Sequence, residues 1–439
     1  MKLLQIKMYR RINYIAAILV LVGGLSAQAQ VTTSSPYSRY GLGNIKGSLL
    51  PQLRAMGGIS TAVNKVSGFN YINMQNPASY AGISLTTIDI GMSASVNNLS
   101  RANLSENTFN ATFSHLAFAA PVGRKSALSF GILPYSDLGY TYRNKVKIDT
   151  TAVDQVYEGE GGLSKAYFGY GYRFGDHLRI GANLEYIFGN LQTTRSTEYS
   201  STILGAYNAK LQNKNSVGGL AYSYGIQYDF NVGKKTLVTL GYSGSTSGKI
   251  NSSQTFFATR YLRDANGNEQ PALDTLSRID KGKSNLTLPL THNFGIAIQQ
   301  NDKWMIGADF RMSKWSETTI NNVSQGLQDS WGASLGGQWT PDAYSYNSYM
   351  KRVDYRLGFN YDKTYIQVNN QNIKQMGASL GFGFPLPSAN GGTAFYKINF
   401  TTEVGQRGTL NNNLVKEQYI NFHLGFTLND TWFRKYRVD

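Results

Sequence analysis

The sequence predicts an all-β fold: a transmembrane antiparallel β-barrel of about fourteen strands, with an N-terminal hatch, or plug, in the lumen. Three observations predict it. The chain opens on an export signal, it alternates apolar and polar residues with a period of two from about Leu85 to Leu428, and it is rich in aromatics and glycine but poor in charge.

The export signal comes first. Lys2, Lys7, Arg10 and Arg11 precede an uncharged apolar run from Ile15 to Leu25, and small residues follow at Ala27-Gln28-Ala29. This is the basic, apolar and cleavage-site order of a secretory signal peptide. The apolar run is shorter than the ~20 residues that a membrane-crossing helix needs. Residues 1–29 are therefore expected to be removed, and the mature chain to begin near Gln30. The chain contains no cysteine, which excludes disulfides, thiolate metal sites, cysteine nucleophiles and a lipidated mature N-terminus. Anchoring has to come from the fold.

Composition points the same way. The 439 residues include 30 Tyr, 21 Phe and 46 Gly but only 10 Pro. Charged residues make up 15%, against about 25% in soluble domains. Tyrosine and phenylalanine suit the aromatic girdles of a membrane barrel, and glycine suits its curved wall. The formal charge of +16 becomes +12 once the four basic residues of the signal are gone. The basic residues are scattered, so no nucleic-acid partner is expected; anionic lipid headgroups, including lipopolysaccharide, are the simpler counterpart.

Alternation defines the strands. Leu178, Ile180, Ala182, Leu184, Tyr186 and Phe188 are interleaved with Arg179, Asn183 and Glu185. Trp304, Ile306, Ala308, Phe310 and Met312 are interleaved with Gly307, Asp309 and Arg311, and Val353, Tyr355, Leu357, Phe359 and Tyr361 with Arg352, Asp354, Arg356 and Asn360. In a barrel the charged rows Arg179, Glu185, Asp309, Arg311, Arg352, Asp354 and Arg356 line the lumen. Alternation alone also fits a secreted β-sandwich, so the connections have to decide. Tight turns are expected at Val122–Lys125, Gly175–His177, Val232–Lys235 and Asn301–Lys303, with long polar connections at Asn190–Lys214 and Ser253–Asn285. Short turns on one rim and long loops on the other describe an outer-membrane barrel. The barrel is expected over residues 84–430, followed by a short periplasmic tail, 431–439, that brings Trp432 and Phe433 to the interface.

Residues 30–83 do not alternate. They carry Ser35-Pro36-Tyr37-Ser38-Arg39-Tyr40-Gly41-Leu42-Gly43, then Arg54-Ala55-Met56-Gly57-Gly58, then Asn73-Met74-Gln75-Asn76-Pro77-Ala78. Turn formers and small residues at this density predict a compact, mostly irregular segment able to pack inside another structure. Asn76-Pro77 reads as a turn leading into the first strand.

This order, a Gly-rich N-terminal segment, an Asn-Pro-Ala motif and then a barrel, resembles the FadL family of outer-membrane long-chain fatty-acid transporters, in its Bacteroidetes-like form. The resemblance spans the mature chain, and the opening Ser-Pro-Tyr-Ser-Arg-Tyr and closing Trp-Phe-Arg-Lys-Tyr carry it at the two ends. It implies that residues 30–83 are the hatch, with Asn76, Pro77 and Ala78 as its terminal motif. It implies a lateral opening at the third strand, where Gly131 and Pro134 lie and where proline removes a ladder donor. It implies an outer hydrophobic groove on the long connections, lined by Ile203, Leu204, Tyr207, Phe256, Phe257, Tyr261 and Leu262.

Catalytic chemistry is not legible. The four histidines, His115, His177, His292 and His423, are far apart and have no ligand or triad spacing. No enzyme activity, cofactor or metal is expected. The functional expectation is an outer-membrane channel that captures fatty-acid-like hydrophobic molecules at its outer loops and releases them sideways. The rival is a non-transporting accessory barrel, partnered by other outer-membrane proteins in a secretion or assembly complex.

Overall fold

A computed structural model describes residues 35–64, 69–148, 151–199, 205–264, 266–389 and 394–432. The signal, Ile203, Leu204 and Phe433 lie outside the described residues. No helix among the described residues is long and apolar enough to cross a membrane; the crossing elements are strands.

Fourteen antiparallel strands close on themselves. They are β1 (Thr86–Arg101), β2 (Leu104–Gly123), β3 (Ser126–Asp137, resuming as Tyr140–Ile148), β4 (Thr151–Phe174), β5 (Leu178–Tyr199), β6 (Asn208–Val232) and β7 (Thr236–Ser245, resuming as Lys249–Tyr261). They continue as β8 (Asp274–Thr287, resuming as Leu290–Gln300), β9 (Trp304–Lys314), β10 (Ser330–Trp339), β11 (Asp354–Val368), β12 (Gln371–Ala389), β13 (Ala394–Gly408) and β14 (Lys416–Asp430). Each pairs with its sequence neighbour, and β14 returns to β1 from Thr86↔Asp430 to Ser100↔Lys416. Except along part of the β2–β3 seam, closure removes the free edges that an open sheet would expose and, within a bilayer, satisfies the backbone between strands.

The period of two places the side chains. On β4 and β5 the outward rows Phe168, Tyr170, Tyr172, Phe174 and Ile180, Leu184, Tyr186 are exposed, while the inward Lys165, Tyr167, Arg179, Asn183 and Glu185 are buried. The same division recurs on β9, where Ile306 and Phe310 face out and Met305 and Asp309 face in. An apolar outside and a polar, buried inside is the reverse of a soluble sandwich. It is the arrangement that a lipid-facing barrel wall requires.

The connections correct the sequence reading. The predicted tight turns at 124–125, 175–177, 233–235 and 301–303 all fall on the near rim, where β1 begins. That rim also carries a long connection, residues 340–353, and the far rim has two-residue turns at 102–103 and 369–370. The expected long loops Asn190–Lys214 and Ser253–Asn285 are mostly strand. β5 runs on to Tyr199 and β6 starts at Asn208; β7 reaches Tyr261 and β8 starts at Asp274. Polar residues on both faces hide these extensions from hydropathy while backbone pairing continues. Arg352 was expected in a strand and instead ends the 3-10 turn Met350–Arg352, its guanidinium over the Tyr349 ring. It sits at the near rim, outside the inward rows. Trp432 lies beside Phe118, ring centres 6.1 Å apart.

Candidate functional site

Residues 35–64 and 69–83 run along the inner wall, and glycines make the close approach possible. The turn at Asn76 begins the 3-10 segment Pro77–Gly82; the Asn76 carboxamide oxygen accepts the Ala78 N–H at 3.1 Å, and Pro77 supplies the fixed φ of a first turn. The Asn76 amide donates to the Thr61 carbonyl at 2.6 Å and to the β7 carbonyl of Tyr242 at 3.3 Å. Ala78 is fully buried. This motif fits because the facing wall has no side chains. A Cβ on Gly181 would strike the Pro77 carbonyl, and one on Gly225 would strike the Asn76 side chain. Farther round, a Cβ on Gly358 would collide with the backbone at Met56–Gly57, just after the short helix α1 (Pro51–Arg54).

Inward polar side chains hold the same segment. Asp309 on β9 accepts the backbone N–H groups of Ser60 and Thr61, both at 2.8 Å, and the Thr61 hydroxyl at 2.8 Å. Glu185 on β5 accepts from Lys165 at 3.1 Å, and Lys165 also donates to Ser48 at 2.9 Å. Arg356 donates to Gln338, Asn399 and Asp354 at 2.8, 2.8 and 2.7 Å, and Lys397 reaches Asp354 at 2.7 Å with its ammonium over the Phe69 ring. Arg311 pairs with Asp362 at 2.9 Å. Arg179 pairs with Asp229, away from the segment. Sequence reasoning did not single out Lys397, Ser379 or Asn429 as site residues, although each has inward parity. Ser379 accepts the Gly57 N–H at 2.9 Å, and Asn429 exchanges two hydrogen bonds with the Asn70 backbone.

The wall is interrupted between β2 and β3. These strands pair only from Leu116↔Ile132 to Gly123↔Ser126. Beyond that point β2 has β1 as its only strand partner among the described residues, and the second half of β3 pairs with β4 alone. Gly131 sits at the last paired steps, where a Cβ would strike the Leu116 carbonyl. Pro134 follows, with a register shift against β4 between Pro134 and Ser136. The β3 side of this gap is capped from within. Asn44–Ile45 pairs with Ser136–Asp137, the Lys46 N–H donates to the Tyr135 carbonyl at 3.1 Å, and the Ser35 N–H donates to the Gly139 carbonyl at 3.0 Å.

Behind the gap, a cavity of about 180 Å³ is lined by polar residues that include Ser93, Ser95, Asn97, Asn110, Thr112 and Ser114. A larger one, of about 400 Å³, lies deeper against Arg54, Lys165, Glu185, Arg311, Trp315 and Tyr365. Toward the far rim the lumen is filled by an apolar cluster that includes Tyr37, Leu42, Leu138, Leu163, Ile250 and Leu286. Trp315 stacks on Tyr365 there, ring centres 4.2 Å apart.

The expected outer groove is not gathered on loops. Phe256 and Phe257 are consecutive in β7 and face opposite sides, as pleating requires. Tyr261 is buried and donates to Glu198 at 3.0 Å. Tyr207 is exposed beneath the Arg260 guanidinium, and Leu262 follows the end of β7. Among the described residues no group of His, Asp and Glu is placed to hold a metal ion.

A family model described as BamG matches residues 8–439. The chain belongs to the BamG family. No curated protein matches it. Among solved structures, this BamG-family chain is similar to a Pseudomonas aeruginosa FadL homologue (TM-score 0.59, 11% identity, 89% of this chain and 99% of that one). It is also similar to the Pseudomonas putida toluene transporter TodX (TM-score 0.57, 14% identity, 89% and 99%) and the Ralstonia pickettii toluene transporter TbuX (TM-score 0.55, 16% identity, 88% and 99%). At these identities the likeness is one of fold. The resemblance to the FadL family therefore holds for the architecture, within a chain whose family is BamG.

Proposed function

We propose that this chain is an outer-membrane conduit for hydrophobic small molecules, exported by residues 1–29, with residues 30–83 as its hatch, 84–430 as its barrel and 431–439 as a periplasmic tail. The observation that carries this reading is the gap beyond Leu116↔Ile132. An apolar molecule gains nothing from an aqueous exit, and an interrupted wall offers it direct passage into lipid. Two barrels of the same fold, TodX and TbuX, are toluene transporters, which supports the substrate class. In this reading Gly131 and Pro134 bound the exit, and Tyr207, Phe256, Phe257, Tyr261 and Leu262 contribute to capture at the far rim. The inward residues Arg179, Glu185, Asp309, Arg311, Asp354 and Arg356 keep the lumen in shape. The test is uptake of a radiolabelled fatty acid and of toluene by cells lacking the gene, complemented with the wild-type chain or with Thr112→Trp, which fills the cavity behind the gap. Uptake restored by the wild type alone supports the conduit; uptake indifferent to the deletion sinks it.

A second reading, an accessory barrel of a larger outer-membrane assembly, is favoured by a different observation. The segment that would have to move is keyed to wall glycines, Asp309, Ser379 and Asn429, and the far lumen is filled by apolar side chains. The lining behind the gap is also polar, which suits a polypeptide better than a hydrocarbon. The family's own name, BamG, sets the chain apart from the toluene channels. Copurification with other outer-membrane proteins at fixed stoichiometry from native membranes supports this reading, and a clean monomer in mild detergent argues against it.

A further inference from the structure

We infer that the near-rim mouth of the barrel holds an oxyanion site centred on Arg173 and Arg179. These two arginines are directly opposed across the β4–β5 ladder, on the inner face. Like charges in that relation destabilise a strand pair, so their retention needs a compensating group. The structure supplies only part of one. Arg179, 1% exposed, gives one guanidinium nitrogen to Asp229, whose oxygen is shared with the Thr239 hydroxyl at 2.7 Å. The Nε atoms of Arg179 and Arg173 are both buried without an acceptor among the described residues. The Arg173 side chain has no ion pair there, and neither does that of Arg124.

Both arginines open onto a cavity of about 780 Å³, which Arg124 also lines. Its carboxylates are Asp229, already committed to Arg179, and Asp302, which accepts the Tyr344 hydroxyl at 3.0 Å. Three guanidiniums facing two engaged carboxylates leave positive charge and buried donors in excess. Paired guanidinium N–H groups match the geometry of a phosphate or a related oxyanion. The cavity admits a free phosphate or the phosphodiester of a lipid headgroup, and the chemistry of recognition is the same for both.

The site is tested on the full mature chain in a zwitterionic detergent, by its unfolding midpoint at constant ionic strength. Inorganic phosphate is titrated against chloride, and in a second arm micelles doped with phosphatidylglycerol are compared with phosphatidylcholine. A saturable rise in midpoint with phosphate assigns a free oxyanion; a rise with phosphatidylglycerol alone assigns a headgroup. In Arg173→Gln the apparent affinity is expected to fall by about tenfold or more, the loss of one charge-assisted hydrogen bond. The ligand-free variant is expected to unfold no earlier than wild type, because the opposed charge is gone. Arg124→Gln, at the exposed edge of the cavity, gives a second reading should Arg173→Gln fail to fold. A midpoint unmoved by either additive, or moved equally in wild type and both variants, overturns the site.

Discussion

The carboxylate of Asp309, on the inner face of β9, receives the Thr61 backbone N–H at 2.8 Å, and the same oxygen receives the Ser60 N–H at 2.8 Å. A buried carboxylate is tolerable only where donors replace its hydration, and here the donors belong to the luminal segment. Replacing Asp309 with Ala strands both N–H groups, at a cost of roughly 1–3 kcal/mol each. The expected outcome is a segment that opens at 60–61 inside an intact barrel. Trypsin cleavage at Arg54, compared between wild type and D309A, checks it; equal protection would show that Asp309 does not hold the segment.

Gly358 provides a steric test of the same docking. The wall approaches Met56–Gly57 so closely at this point that any side chain must displace one or the other. Gly358→Val is expected to keep the barrel, since valine suits strands, while expelling the turn after α1. Far-ultraviolet circular dichroism should be unchanged and protease sensitivity at Arg54 increased. Gly248, whose Cβ would meet nothing, serves as the matched control. An unaltered digest of G358V would mean that the backbone yields instead.

Much of the wall was legible, because a lipid-facing strand writes its orientation into every second residue. Arg179, Glu185, Asp309, Arg311, Asp354 and Arg356 all turn inward as their parity requires. Where strands leave the apolar belt, as in β5 beyond Asn190 and β8 before Asn285, both faces become polar and the signal ends while hydrogen bonding continues. Arg352 failed for a related reason: its spacing continued the alternation, but a 3-10 turn had already replaced the strand. The gap was half legible. Pro134 marked the strand, but the lost partner belongs to β2, whose residues Ser105–Phe113 alternate normally. Absent pairing is a property of two distant segments and leaves no local trace. The wall glycines had inward parity, yet only the position of Asn76, Pro77 and Gly57 explains them.

Closure of the gap from within depends on Lys46. Its N–H donates to the Tyr135 carbonyl at 3.1 Å and its ammonium meets Asp137 at 2.7 Å. Lys46→Pro removes the donor along with the charge. Residues 44–46 are expected to detach from β3 and widen the opening, and a cysteine-reactive dye should then label Asn110→Cys faster than in the otherwise wild-type chain. Because the chain has no native cysteine, the labelling reports that one position. Identical labelling rates would refute the capping role.

The loop before β10 has a pH limit. Hydrogen bonds from the Ser316 hydroxyl at 2.6 Å and from its backbone, joined by Lys314 at 3.0 Å, hold Asp329 below the usual carboxylate range. A depressed folded-state value means stability that is present above the unfolded carboxylate range and lost as pH falls through the folded value. Protection against amide exchange in 315–329, taken relative to the intrinsic rate at each pH, is expected to fall only at acid pH, below the ordinary carboxylate range. In Asp329→Asn this protection should be low and nearly independent of pH. Equal acid sensitivity in the two proteins would assign the effect elsewhere.

Asp354 makes the strongest mutational prediction, because among the described residues it is the only carboxylate in ion-pair contact with two buried cations. Arg356 and Lys397 each reach it at 2.7 Å, and Thr340 donates to its other oxygen at 2.8 Å. All three charged side chains are almost fully enclosed. Removing one member of a buried ion group leaves uncompensated charge, at a cost of roughly 3–5 kcal/mol. Asp354→Ala is therefore expected to be far more damaging than Lys397→Met, which leaves the Asp354–Arg356 pair whole and keeps an apolar chain against Phe69. In the double variant the lysine charge that Asp354 balanced is also gone, so the two losses should not add. Urea-dependent unfolding of the three proteins in detergent measures this. A double variant that loses the full sum of the single losses would mean that the three groups act independently.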